Sequence, residues 1–338
     1  MVFVTELLDG LPHEETTHEI KRDEALLFNR PDLGRIKSLQ HHDLLGAVHF
    51  PVVFQPAKFS PPRGIYECDH LRVEWQQMGH FRQPFYHRNA DVDEISLQIY
   101  GERTLMTEYG TVEFRPGDFS RIPVGVAHDN YGRDEIHLLF YIPAPVEECG
   151  ALTKLARFAM PPFEGWQSNT VAELMTNCLG GPHCDIAAFQ VDETLLLEHA
   201  KTVGTEQLLR VLRAEGKQGG TEWMYKAKDV WIGSTNVRSG DPIVYRRHRQ
   251  AEEIQCQISG KRTLITQRGI IELEPGDFIN IPNGVAFTDT TTSESTHITI
   301  LTFNHAPAKA DIVKVAQETT LEVVQKFTRI SRIDGLFP

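Results

Sequence analysis

His87, Asn89, Glu94 and His128 are the residues of this chain whose types and spacing could do chemistry together. His87 and Asn89 stand two apart, so on a strand they project to the same side. From Glu94 the same parity carries Ser96, Gln98 and Tyr100, while Ile95, Leu97 and Ile99 face the other way. One face of this strand is therefore polar, and a polar face turned inward must be satisfied by water, ligand or metal. Two imidazoles and one carboxylate, with coordination positions left open, make the facial triad favoured by non-haem Fe(II) oxygenases. A lone histidine on a strand is more often structural. The combination of His87, Glu94 and a His128 placed 34 residues further on favours the ligand reading. Asn89 is open between a weak ligand, a hydrogen-bond donor behind the ligands and a structural remnant. Tyr86, Gln98 and Asn130 are expected around the site or in packing. Arg72, Arg103 and Arg121 could each anchor a substrate carboxylate, and parity does not choose among them. Arg88 faces away from His87, Asp91 and Asp93 are expected in a solvated loop, and His80, His41, His42 and Trp75 are expected on the surface or in the core.

The elements that position these residues are written twice. Residues 86–128, YHRNADVDEISLQIYGERTLMTEYGTVEFRPGDFSRIPVGVAH, align without a gap with 245–287, YRRHRQAEEIQCQISGKRTLITQRGIIELEPGDFINIPNGVAF, at an offset of 159. Matches include Tyr86/Tyr245, Glu94/Glu253, Gly101/Gly260, Gly117/Gly276, Pro123/Pro282 and Gly125/Gly284. Forty-three residues in strict register exceed what shared composition produces, so the chain carries an internal duplication. The second copy has Arg246, His248, Glu253 and Phe287 at the four chemical places. Phe287 cannot ligate and Arg246 brings a cation, so this copy is expected to be degenerate, with Arg246 pairing with Glu253. His248 and Glu253 leave room for a two-ligand metal site, or Arg246 for an anion pocket.

Inside each copy the pattern is β. EISLQIYG and EIQCQISG alternate polar and apolar residues, and Gly or Pro-Gly-Asp turns follow at short intervals. Such spacing indicates a sandwich or barrel. The stretch DETLLLEHAKTVGTEQLLRVLRAE spaces its leucines helically, with Gly204 expected to separate two short helices, and ADIVKVAQETTLEVVQKF reads as an amphipathic helix. The expected division is a first β-domain at 1–150, a partly helical connector at 151–215, and a second β-domain with a helical tail at 216–338.

These repeats resemble the cupin superfamily, whose motifs are G-x5-H-x-H-x3–4-E-x6-G and G-x5-P-x-G-x2-H-x3-N. In the first copy, His87-x-Asn89-x4-Glu94-x6-Gly101 follows the first motif from its histidine onward, with Asn89 in place of the second histidine. Gly117-x5-Pro123-x-Gly125-x2-His128 follows the second, with an asparagine at Asn130, one residue early. The motifs cover about a quarter of the chain, and the duplication extends the likeness to most of the rest. The resemblance implies a mainly β protein of two tandem cupin barrels, each a double-stranded β-helix or jelly roll, with a partly helical connector and a C-terminal helix. Within the superfamily, Pro84 to Asn89, PFYHRN, looks like the iron-ligand region of the homogentisate 1,2-dioxygenases. Here the gap from Asn89 to Glu94 is one residue longer and the chain is shorter; hydroquinone and gentisate dioxygenases are similar in architecture. The resemblance implies Fe(II) on His87, Glu94 and His128, O2 as co-substrate and a small hydroxylated aromatic as substrate. Mn, Zn or Ni, in an isomerase, decarboxylase or oxidase, is the alternative, and a non-catalytic binding protein the third reading.

The totals bound the rest. With 338 residues and 41% hydrophobic side chains the chain can bury a substantial core. A net charge of −12 argues against nucleic acid or an anionic membrane as partner. No stretch is apolar enough to span a bilayer, and the N-terminus turns acidic without the basic start of a signal peptide. Five scattered cysteines with no CxxC pair suit reduced thiols, so a cytoplasmic location is expected. Exposed barrel edges lead to the expectation of a homo-oligomer.

Overall fold

The computed structural model describes residues 2–11, 14–29, 42–56, 59–180, 184–217 and 220–334; His41 lies outside them. The chain is mainly β and forms two tandem barrels, as the repeats imply. In the first, the long strands Asp93–Thr107 and His128–Ile142 run antiparallel from Ile142 opposite Asp93 to His128 opposite Thr107. In the second, Glu252–Ser259 pairs with Glu294–Thr302 and Arg262–Thr266 with Phe287–Thr290. Among the described residues, no helix is long and apolar enough to cross a membrane.

The alternation in EISLQI fixes which side is in. Ile95 and Leu97 belong to a buried cluster with Val73, Trp75, Leu138 and Phe140 of the first barrel. The same cluster holds Ile254, Cys256, Phe278, Ile298 and Ile300 of the second. The apolar outer faces thus form one core between the barrels, which leaves the polar parity, Glu94, Ser96 and Gln98, for the barrel interior.

Sheet pairing crosses the linear division of the chain. Phe3–Gly10 runs parallel to Val244–His248 of the second barrel, and Glu14–Asp23 pairs beside it. Reciprocally, Thr170–Asn177 runs parallel to Phe85–Asn89 of the first barrel, with Cys184–Asp192 beside it. Each hairpin leads into a short helix capped by an aspartate, Asp23 before Glu24–Phe28 and Asp192 before Glu193–Glu198. The contacts repeat as well. Tyr245 donates its hydroxyl to Glu24 at 3.2 Å and Tyr86 to Glu193 at 2.9 Å. Arg247 pairs with Glu6 at 2.5 Å and Arg88 with Glu173 at 2.9 Å. Boundaries at 150 and 215 therefore do not separate the barrels: each is completed by strands from the other half. The physical reason is that a parallel neighbour cannot be joined by a tight turn, so it comes from a distant segment.

Two helical expectations change. The connector holds the six-residue helix Glu193–Glu198 and one 3-10 turn, but LLRVL forms the strand Arg210–Arg213 against Phe119–Ile122. Leu209 and Val211 enter one buried cluster and Leu212 another, a period of two that overrides the helical spacing. The C-terminal helix begins at Leu321; before it, Ala316 and Gln317 donate to the carbonyls of Leu45 and Ile270 and hold that run extended.

Gly101, at an irregularity within Asp93–Thr107, and Gly260, at the bend after Glu252–Ser259, have φ of +66° and +69°, and a Cβ on either would lie 2.2 Å from the carbonyl of Asp134 or Glu294. Gly101→Ala is expected to lower stability by about 3 kcal/mol or more, measured by urea unfolding. Gly125→Ala, at φ +79° with nothing within 4 Å of the added carbon, is expected to cost about 1 kcal/mol.

Candidate metal centre

Three strands of the first barrel bring the trio together. His87 on Phe85–Asn89 is the cross-strand partner of His128, and their rings meet edge to face at 5.2 Å between centroids. Glu94, on the neighbouring strand, pairs with Tyr141. One ligand atom from each of His87, Glu94 and His128 lies within 4.8 Å of the others. Glu94 and His128 are buried and His87 is half-buried, so the group sits at the inner wall with one open side. The Val126 carbonyl accepts from His128 Nδ1 at 3.0 Å, which leaves Nε2 as the basic nitrogen, 3.2 Å from Glu94 Oε2. A lone pair and a carboxylate at that distance require a cation between them. Burial works against charge on both groups, yet Glu94 raises the His128 imidazole above its ordinary value. His128, His87 and the Asn89 amide in turn hold Glu94 well below the usual carboxylate range. A proton can serve as that cation, and so can a divalent first-row metal, which two imidazole nitrogens and a carboxylate at this spacing fit.

Asn89 resolves to a donor. Its Nδ2 donates to Glu94 Oε2 at 3.0 Å, while its Oδ1 accepts from the Cys178 thiol at 3.2 Å and is turned away from the trio. It aims Glu94 and does not add an oxygen to the ligand set. Of the two places expected for Tyr86, packing holds: it is buried beside Met106 and Leu197 and its hydroxyl goes to Glu193, under the Arg82 guanidinium, away from the site. Asp91 and Asp93 are not a solvated loop. Asp91 accepts from the backbone N–H groups of Cys178 and Leu179, and Asp93 from Val124 N–H and Arg121. Arg88 is structural, held by Glu173, Glu108 and the Gly125 carbonyl. Gln98 donates to Glu135 at 2.8 Å on the inner face, and Asn130 and Arg103 lie at the same end of the barrel strands.

Apart from Arg72, the other residues of this interior escaped the reading of the sequence. On Leu71–Met78, Leu71, Val73 and Trp75 enter the inter-barrel core. Arg72, Glu74 and Gln76 therefore face inward. His137 bridges Glu135 at 2.9 Å and Gln76 at 3.1 Å. Burial pushes Glu74 up to about 7, with Arg72 opposing and Glu94 adding to the shift. The signal was present: LRVEWQ alternates as EISLQI does.

No family model matches the chain, and no curated protein does. Solved structures similar to it include a cupin 2 conserved barrel domain protein from Leptotrichia buccalis, at 9% identity over 77% of this chain and 98% of that one, TM-score 0.46. AerE from Microcystis aeruginosa is similar at 13% identity over 77% and 99%, TM-score 0.45. A mutant of Bacillus subtilis oxalate decarboxylase is similar at 12% over 88% and 87%, TM-score 0.45. Identities this low assign this chain neither a substrate nor a reaction.

In the second barrel the corresponding places are filled from within. Phe287 is buried opposite Arg246, 5.8 Å from the His248 ring. Glu253 does not pair with Arg246 as expected. Its Oε2 accepts from His248 at 2.6 Å and its Oε1 from Gln255 at 2.6 Å. The other His248 nitrogen meets Asp9, on the N-terminal strand, at 2.7 Å. Burial opposes charge on His248, but the hydrogen bonds to Asp9 and Glu253 outweigh it and raise the imidazole to about 9. An imidazolium between two carboxylates occupies the place where the first barrel would need a metal.

Because the folded value lies above the ordinary 6.5, the stabilisation from His248 is complete below pH 6.5 and is lost as pH rises through 9. Thermal unfolding followed from pH 6 to 10 is expected to show the loss, about 3 kcal/mol, in the native chain. His248→Gln should be less stable at pH 6.5 and should not share that decline.

Proposed function

We propose that this chain is a metal-dependent enzyme whose reaction takes place in the first barrel. The finer proposal is an Fe(II) centre that uses O2 to cleave the ring of a hydroxylated aromatic. The observation that carries it is the convergence of His87, Glu94 and His128 in one barrel, set against its replacement by an internal ion pair in the other. When bound, Fe(II) would supply Lewis acidity toward a phenolate and a redox route to O2. The chain's own part is positioning. Val126 fixes the His128 tautomer and Asn89 aims the Glu94 carboxylate. The inter-barrel core covers the outer face of the strand that carries Glu94 and keeps water from that side. The half-buried His87 marks the open side, where a substrate hydroxyl would enter.

A second reading has an observation of its own. Glu74, an inner-face carboxyl held near 7, can carry a proton at neutral pH, which suits an isomerase or decarboxylase on Mn, Zn or Ni as well as it suits a dioxygenase. Metal content by elemental mass spectrometry, on protein purified without oxygen or chelators, addresses both. About one iron per chain is expected, lost in His128→Ala together with O2 uptake on diphenols. Manganese or zinc at that ratio, with turnover under strict anaerobiosis, would move the assignment to the second reading. An iron-free variant with full activity would overturn the iron reading, and a metal-free one with full activity would overturn any metal role.

A further inference from the structure

We infer that Arg103 is the specificity-determining residue of the first barrel, held there without a counter-ion so that it pairs with an anionic group of the ligand. The inference deepens, and rests on, the reading of this barrel as the working site.

Arg103 is 1% exposed, and an arginine keeps its charge in a protein. Its sole hydrogen bond among the described residues is from Nη2 to Ser96 Oγ at 2.9 Å, and its Nε has no partner. The guanidinium lies 5.0 Å over the Phe114 ring. The other two arginines that could anchor a carboxylate are taken: Arg72 by Glu67 at 2.5 Å, and Arg121 by Asp93 at 2.9 Å and Glu148 at 3.1 Å. Glu94 and Glu135 lend Arg103 charge from a distance, but their hydrogen bonds go to Asn89, His128, Gln98 and His137.

The second barrel shows what a merely structural arginine needs at this position. Arg262, the repeat partner of Arg103 at an offset of 159, is just as buried, and each of its nitrogens is used. Nε donates to Gln257 at 2.6 Å, Nη2 to Gln255 at 2.7 Å, and Nη1 pairs with Asp289. In the first barrel the three partners become Gln98, Ser96 and Asn130. Gln98 turns its amide to Glu135, Ser96 keeps the bond to Nη2, and Asn130 removes the negative charge. The Oε1 of Gln98 and the Oδ1 of Asn130 are buried without partners, as is Arg103 Nε. Each such atom costs on the order of 1–3 kcal/mol when nothing fills the gap. The barrel that carries the trio is thus the one that has kept the cation and lost its carboxylate. A planar carboxylate is the anion that matches a guanidinium fork. Ser96, which contacts Arg103, is two residues from Glu94 on the same inner face, so one small ligand could span both.

The test restores the missing charge. Binding of 4-hydroxybenzoate and of its neutral counterpart 4-hydroxybenzamide would be measured by isothermal titration calorimetry on the full chain as purified. The native chain is expected to favour the anion at least tenfold. Asn130→Asp, which reinstates the second barrel's pairing, is expected to abolish that preference, leave amide binding unchanged and raise the melting temperature. Arg103→Gln should lose the preference too, so a poorly folded Arg103→Gln leaves Asn130→Asp to decide. A native chain with no preference for the anion, or Asn130→Asp with the preference intact, overturns the inference. Anion preference in a chain that neither binds metal nor turns over would sustain the role of Arg103 while removing the enzymatic reading. Metal-dependent turnover of neutral phenols unaffected by Asn130→Asp would do the reverse.

Discussion

Both barrels bury a carboxylate at the same place, Glu94 in the first and Glu253 in the second, and a buried carboxylate must face a cation. Much of the difference between the two halves follows from how that demand is met. In the second barrel Asp9 and Glu253 together hold His248 as an imidazolium, and Phe287 seals the place beside it. In the first, Thr176 stands at the strand position that Asp9 occupies in the second, and two imidazoles converge on the carboxylate. Four exchanges separate the closed ion pair from the set of ligand atoms: Thr176 for Asp9, His87 for Arg246, Asn89 for His248 and His128 for Phe287.

The same trade recurs one layer deeper. Arg262 is neutralised by Asp289, whereas the position that corresponds to Asp289 in the first barrel is Asn130. The buried arginine of the second barrel is matched by a carboxylate, and that of the first is not. Both interiors are polar because the apolar faces of their strands are spent on the core the barrels share. The common core therefore decides that the chemistry is inside, and the local side chains decide which inside remains open.

Much of this was legible in the sequence. The alternation of EISLQI placed Glu94 on the inner wall, and the glycines and Pro-x-Gly turn located His128, because backbone turns and strand parity are local properties. The exchanged hairpins were not legible by the same means. TELLDG and AELMTN share little beyond a glutamate and a leucine, although Glu6 and Glu173 both anchor the arginine after the ligand position. DEALLF and DETLLL did carry a signal, an aspartate cap and a glutamate for the buried tyrosine, at an offset other than 159. Arg210–Arg213 was misread because a short apolar run fits either period until its neighbours are known. The separation of Arg103 from Arg72 and Arg121 depended on partners drawn from remote strands, which no local pattern encodes.

The reciprocal exchange of strands also sets the order in which the molecule can be assembled. As the chain leaves the ribosome, Phe3–Gly10 emerges more than two hundred residues before its parallel neighbour Val244–His248. The first barrel must likewise wait for Thr170–Asn177 and Arg210–Arg213. Neither barrel has all its strands when residue 150 emerges, and the amino-terminal hairpin must stay unpaired with its own sheet through most of synthesis. A protein closed by such distant partners pays its loop-closure entropy late, folds slowly and gains its cooperativity from being whole.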